Sequence, residues 1–266
     1  MNIVVLVKHV PDATGDRRFE PDNTVDRDGV EGLLSELDEY AVEQALQIRE
    51  HRADEEIEVT ALTIGPDDAE EALRKALQMG VDKAFHVSDD AIAGSDAIAT
   101  SLVLAEAVKK AFNGAVPDLI VTGMASTDGG MGIVPAMLAE RLGIPQVTLA
   151  SAVETQGDLV RIRRDGDAAT ESVSATMPLV LSVTDQSGEA RYPSFKGIMA
   201  AKKKPLVTWD LADLGVDPSS VGPDASRTTV ETITARPPRT TGEIVKDEDG
   251  TGAKALAGFL ANKKFI

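Results

Sequence analysis

The sequence predicts an α/β protein built on a doubly wound, mostly parallel sheet, with antiparallel hairpins and a C-terminal arm added to it. Three observations carry this reading. Strand-like and helix-like segments alternate through the first two-thirds of the 266 residues. The first strand-like segment is a short, continuous apolar run, as expected of a strand covered on both faces. The connections between them are short, which favours consecutive elements that neighbour one another in space.

The elements follow in order. Residues 2–8, with Ile3-Val4-Val5-Leu6-Val7, read as the first strand. A strongly charged insertion at 12–28 reads as a solvated hairpin. Over 34–52, Leu37, Tyr40, Ala41, Ala45 and Ile48 share one helical stripe. Ser35 is the expected N-cap there, with Asp38 and Glu39 in the first turn. Residues 57–64, rich in Val, Thr and Ile, form a second strand ended by Gly65-Pro66. A helix over 67–78 stops at Gly80. A third strand at 83–87 leads to a long amphipathic helix over 95–112, closed by Asn113-Gly114. A fourth strand at 118–122 runs into a glycine-rich loop, and a helix over 133–142 ends at Gly143.

The pattern then changes. Residues 147–173 alternate, with polar turns at Gln156-Gly157-Asp158 and Asp165-Gly166-Asp167, and predict hairpins. Residues 178–183 form another buried strand, and 184–204 form a loop leading into a short helix. Beyond about 216 the chain is rich in Pro, Ser, Thr and charge. Pro237-Pro238 is extended by construction, and only 253–259 looks helical again. The expected organisation is an α/β domain over 1–215 and an extended tail over 216–266, of a kind that wraps a partner or frays.

A 42% hydrophobic content is enough for one large domain, or a domain plus an extension. The net charge of −17 repels phosphodiester backbones and argues against a nucleic-acid partner. The absence of cysteine excludes disulfides, thiolate metal sites and a cysteine nucleophile, and fits a reducing cytoplasm. The first apolar run is too short to span a bilayer and lacks the flanks of a signal peptide, so a soluble chain starting near Met1 is expected.

Catalytic signals are weak. His9, His51 and His86 lie on different elements, and neither Gly-x-Ser-x-Gly nor His-Glu-x-x-His occurs. The carboxylates do not follow EF-hand spacing, so no metal site is expected. The phosphate signal is stronger. Gly123-Met124-Ala125-Ser126-Thr127-Asp128-Gly129-Gly130-Met131-Gly132 lies between a predicted strand and a predicted helix. Glycines admit close backbone approach, and a helix N-terminus offers unpaired N–H groups to an anion. Without a Lys-Ser or Lys-Thr ending it is not a P-loop, so a nucleotide here is held rather than turned over. The alternative is an ordinary connecting loop capped by Thr127 or Asp128.

A third feature is Arg191-Tyr192-Pro193-Ser194-Phe195-Lys196-Gly197-Ile198-Met199-Ala200-Ala201-Lys202-Lys203-Lys204. Aromatic and methionine side chains in a polar loop are typical interface anchors. The alternative is a loop that folds back and buries Phe195 in the protein's own core.

Together these features resemble the beta subunit of electron transfer flavoproteins. The resemblance covers nearly the whole chain. It is carried by Val5-Leu6-Val7-Lys8, Asp38-Glu39-Tyr40-Ala41-Val42-Glu43, Lys75-Ala76-Leu77-Gln78-Met79-Gly80 and above all residues 191–204. It implies a Rossmann-like fold, a heterodimer with an alpha subunit that holds most of the FAD, and a structural AMP in the beta subunit. By position, the AMP site would use Leu6 and Lys8, then Ser35, Glu36, Leu37 and Asp38, then Ile64, and then Gly123 through Ile133 and Val134. Leu37 matches a position that approaches the flavin. Many relatives read Asn-Pro-Phe where this chain has Ser35-Glu36-Leu37. Relatives with a second FAD in place of AMP tend to read Asp-Thr-Ala-Gln-Val-Gly where this chain has Gly130-Met131-Gly132-Ile133-Val134, which favours AMP and simple one-electron carriage.

The resemblance also makes 184–204 a recognition loop for acyl-CoA and related dehydrogenases, with electrons passing on to a membrane quinone reductase, the ETF-quinone oxidoreductase. Phe195 is then the anchor, where the best-known relatives have Leu. Arg191, Tyr192, Ile198, Met199 and Lys203 support it. Asp165 stands where the family has an acidic residue that orients the mobile flavin domain. The rival readings are a stand-alone AMP- or ATP-binding module of universal-stress type and a nucleotide hydrolase. The first leaves 191–204 and the tail unexplained, and the second lacks a P-loop lysine and metal ligands.

Overall fold

A computed structural model describes residues 1–234, 236–237, 242, 244–247 and 250–266. The chain forms two compact units, Met1–Glu231 and Thr232–Ile266. Pro238 of the expected extended Pro-Pro pair lies outside the described residues, as do parts of the expected arm.

The first strand, β1 (Asn2–Leu6), is buried on both faces as its unbroken apolar run requires. Two short antiparallel strands follow, β2 (His9–Pro11) and β3 (Gly32–Leu34), and then helix α1 (Glu36–His51). Next come β4 (Glu58–Ile64), α2 (Glu70–Met79), β5 (Lys83–Val87), α3 (Ala97–Ala111), β6 (Leu119–Gly123) and α4 (Val134–Leu142). Strand β7 (Gln146–Ala150) precedes a meander of β8 (Ala152–Gln156), β9 (Leu159–Asp165) and β10 (Thr170–Thr176). The first unit closes with β11 (Leu179–Val183), α5 (Phe195–Ala201), β12 (Leu206–Trp209), α6 (Leu211–Leu214) and α7 (Gly222–Ala225). The second unit contains α8 (Gly252–Asn262).

The main sheet has seven strands in the order β12-β5-β4-β1-β6-β11-β7, and every pairing is parallel. Alternate side chains of each strand feed two cores. Ile3, Val5, Leu119, Val121, Leu179 and Leu181 pack with α1 and α2 residues such as Ala45, Leu46, Leu73 and Leu77. Val4, Leu62, Ile120 and Val180 pack on the other face with Val103, Leu104, Val108 and Leu138 of α3 and α4. This is the doubly wound, Rossmann-like α/β architecture expected from the sequence.

Several details differ from the sequence reading. Strand β7 belongs to the main sheet rather than to the hairpins, because Val147 and Ala150 are buried beside β11. Strand β12 was not expected. It is an edge strand whose Val207 is exposed, so it lacks the unbroken apolar signal of an interior strand. The charged insertion is not a full hairpin. It has a single antiparallel bridge between Phe19 and Val25, and its flanks pair as β2 and β3. Residues 216–231 belong to the first unit, with Val216 and Val221 buried in it.

Candidate functional site

The chain winds from β1 outward through β4 and β5, then crosses back to β6 on the other side of β1. The strand order therefore reverses between β1 and β6, and a cleft opens at their carboxyl ends, where α/β sheets bind ligands. Its volume is about 310 Å³, within the range of small-molecule sites. Leu6 and Lys8 line it from the end of β1, Asp38 from α1, Ile64 from β4, and Thr122 and Gly123 from β6.

Asp38 organises the floor. Its carboxylate accepts the Lys8 backbone N–H at 2.9 Å, and the Gly123 N–H also supports it. The side chain is buried, and burial pushes its pKa up to about 7 despite these donors and the Lys8 charge. A Cβ on Gly123 would lie 2.6 Å from Asp38 Oδ1 and 2.8 Å from the Leu37 carbonyl oxygen. Glycine is thus what lets the start of α1 press against the end of β6. Ser35 occupies the N-cap position but makes no side-chain cap. It is fully buried and its Oγ has no partner, so the expected hydroxyl cap is absent.

The glycine-rich loop bends through left-handed Gly130 and Gly132, at φ values of 64° and 65°. Ile133, without a side-chain bond, is the N-cap residue of α4, so neither Thr127 nor Asp128 caps that helix. Asp128 turns instead to Lys8 Nζ at 2.8 Å and Arg27 NH2 at 2.7 Å. Arg17 NH1 donates to the Thr127 carbonyl at 2.9 Å. Burial opposes ionisation of Asp128, but Lys8, with help from Ser126 and Arg27, outweighs it and holds the carboxyl well below the usual carboxylate range.

Of the loop residues expected at the site, Ala125, Ser126, Gly129, Met131, Gly132 and Val134 line the cleft. Ser35, Glu36, Leu37, Met124, Thr127, Asp128, Gly130 and Ile133 do not line it; Asp128 acts on it through Lys8. Sequence reasoning missed Arg17 and Arg27, whose partners are about a hundred residues away, and the wall from α3. Ser95, Asp96, Ala97 and Thr100 form that wall with Thr228. Asp96 caps α3 through the Ala99 N–H at 2.9 Å and holds the backbone N–H groups of Arg227 and Thr228 at 2.8 and 3.1 Å. An Asp just before an apolar helical run is a legible N-cap signal; its second role is not.

Segment 191–204 lies on the α1 and α2 side. Tyr192 and Phe195 are 91% and 81% exposed, and Ile198 and Met199 are also exposed, so Phe195 is not a core residue. Arg191 is engaged within the chain by Glu43 and Glu50 of α1. Lys203 is exposed, whereas Lys204 Nζ donates to the carbonyls of Leu77 and Val81 at the end of α2. Asp165 closes β9, accepting from Ser151 Oγ at 2.6 Å and Thr170 Oγ1 at 2.8 Å, with Arg163 at 3.0 Å. Among the described residues no helix is long and apolar enough to cross a membrane.

The family model described as "Electron transfer flavoprotein domain" matches residues 22–214. A protein of Mycobacterium tuberculosis named electron transfer flavoprotein subunit beta is 45% identical, over 100% of this chain and 99% of that protein. A protein of the same name from Megasphaera elsdenii is 35% identical, over 94% of this chain and 93% of its own length. Subunit CarD of the caffeyl-CoA reductase-Etf complex of Acetobacterium woodii is 33% identical, over 99% and 97%.

Proposed function

The chain belongs to the electron transfer flavoprotein family, among its beta subunits, and from that premise we propose that it is the nucleotide-holding and docking half of a heterodimeric electron carrier. In this reading an alpha subunit holds most of the FAD, and FAD supplies the redox chemistry when bound. The present chain completes the flavin site from the Leu37 side, and its second unit, Thr232–Ile266, engages the partner. Helix α8 supports such a role for the arm. It has no buried residue and exposes Leu256 and Phe259, which leaves apolar surface for another chain to cover.

The switch-point cleft is the proposed AMP site. Its volume fits a mononucleotide, its glycine-rich wall lets backbone approach closely, and Lys8 supplies a cation at its mouth. With no P-loop lysine, a bound nucleotide serves as a structural element.

The single observation that carries the docking half of the proposal is the exposure of Tyr192 and Phe195 on a segment fastened to the domain. Such a fixed apolar anchor suits recognition of acyl-CoA-type dehydrogenases, as in fatty acid β-oxidation, while a loosely held redox domain samples orientations and hands electrons on to a quinone reductase. The test is to co-express the chain with its alpha subunit, purify the complex and measure the small molecules released on denaturation. One FAD and one AMP per heterodimer is the expected result. Two FAD would overturn the AMP assignment, and a flavin-free monomer would overturn the heterodimer.

A further inference from the structure

Arg191 was expected among the partner-contacting residues, yet its hydrogen bonds run inward. Its Nε donates to Glu43 Oε2 at 2.6 Å and its NH2 to Glu43 Oε1 at 3.0 Å. NH1 and NH2 reach the two carboxylate oxygens of Glu50 at 2.6 and 3.0 Å. Four of the five guanidinium N–H groups are thus committed to α1. The Arg191 backbone N–H adds a bond to Glu43 Oε2 at 3.1 Å.

We propose that Arg191 is a positioning residue: its double fork onto Glu43 and Glu50 holds the chain entering α5 so that Tyr192 and Phe195 project in a docking-ready arrangement. This role rests on the docking reading above. Three observations carry it. Glu43 is 6% exposed and has no access to a partner protein, so its pairing with Arg191 serves the fold of this chain. Two carboxylates already surround the guanidinium, which leaves no net positive charge there for recognition. The far end of the segment is fixed as well. A side chain on Gly197 would collide with the Gln78 carbonyl, so α5 sits hard against the end of α2, and Lys204 donates to the Leu77 carbonyl at 3.0 Å. The segment from Tyr192 through α5, with its two exposed aromatic residues, is therefore fastened at both ends, which lowers the ordering cost of binding.

The experiment uses the full heterodimer and a purified acyl-CoA dehydrogenase as probe. Arg191→Lys keeps the charge and loses the planar fork. Glu43→Gln and Glu50→Gln weaken the clamp from the other side, and the Glu50 site is exposed enough to leave folding intact. For each variant, amide hydrogen exchange over residues 190–201 and dehydrogenase affinity are measured. Arg191→Lys and Glu43→Gln are expected to speed exchange in that segment and to weaken docking alike, by about tenfold, with flavin content retained. Weakened docking in Arg191→Lys with Glu43→Gln and Glu50→Gln both unaffected would make Arg191 a direct partner contact. Faster exchange with unchanged docking would overturn the positioning role. Phe195→Ala run in parallel isolates the premise: if that variant docks normally, the docking reading fails, while the exchange data still report on the clamp.

Discussion

Lys8 Nζ sits 2.8 Å from a carboxylate oxygen of Asp128 whose side chain is fully buried, joining the end of the first strand to the glycine-rich loop 120 residues later. Arg27 approaches the same oxygen at 2.7 Å from the charged insertion. The loop is therefore held in shape by charge contributed from two distant parts of the chain.

Asp128→Asn removes the anion shared by these two cations. Both cations remain partly in water, so the expected loss is about 1–2 kcal/mol, less than for a fully buried pair. The native carboxyl titrates below its ordinary value, so its contribution is complete above about pH 4 and is lost as the pH falls below that. Urea unfolding should show the variant less stable at neutral pH, with the gap closing in acid. A gap that does not depend on pH would sink this account.

Asp38 behaves in the opposite sense. Its pKa is raised from 3.8 to about 7, so the native state takes up a proton more readily than the unfolded chain. The stability this provides is complete below about pH 4 and is lost as the pH rises to about 7. Asp38→Asn keeps an acceptor for the Lys8 N–H and removes the titration. It should flatten the stability profile across this window and stabilise the protein near pH 8, by on the order of a few kcal/mol. Denaturation midpoints at pH 5 and pH 8 check it, and identical slopes in variant and wild type would contradict it.

Phe195→Ala removes an exposed aromatic side chain, so thermal stability and flavin content should not change. Affinity for an acyl-CoA-type dehydrogenase should fall by about 2 kcal/mol or more, as for an interface hot spot. Titration calorimetry against the dehydrogenase measures this directly. Loss of flavin together with docking would point to a structural role.

Asp96→Ala deletes the N-cap of α3 and the acceptor for the Arg227 and Thr228 N–H groups. The expected cost is about 1 kcal/mol or slightly more. Limited proteolysis near Arg227 should accelerate beyond what global destabilisation explains, and retention of the AMP proposed for the cleft should drop because Asp96 and Thr228 line it. Unchanged proteolysis at Arg227 would show that the tether is unimportant.

Much of the fold was legible because its signals are local. An unbroken apolar run marked β1, a Val-, Thr- and Ile-rich stretch marked β4, and short, mostly apolar runs marked β6 and β11. Glycines at Gly80 and Gly143 marked the ends of α2 and α4. The sheet edges were less legible: β12 was missed, and β7 was read as part of the hairpins, because an edge strand is covered on fewer sides and its residues carry a diluted pattern. The cleft was legible where its residues follow strands or form the glycine-rich loop. Its α3 wall, and the arginines of the insertion, were not, because their role depends on partners about a hundred residues away in the chain.

By itself the sequence determined that the chain would wind a parallel sheet with helices on both faces, since hydrophobic periodicity acts over a few residues. It also determined that a glycine-rich turn would sit at a strand end. Only the tertiary structure decided where charge is spent. Asp128 serves Lys8 and Arg27 rather than a helix cap. Arg191 faces α1, and Phe195 faces solvent. The physical reason is that ion pairing and burial are properties of three-dimensional neighbours, and no periodicity in the chain records which distant group will arrive beside a given side chain.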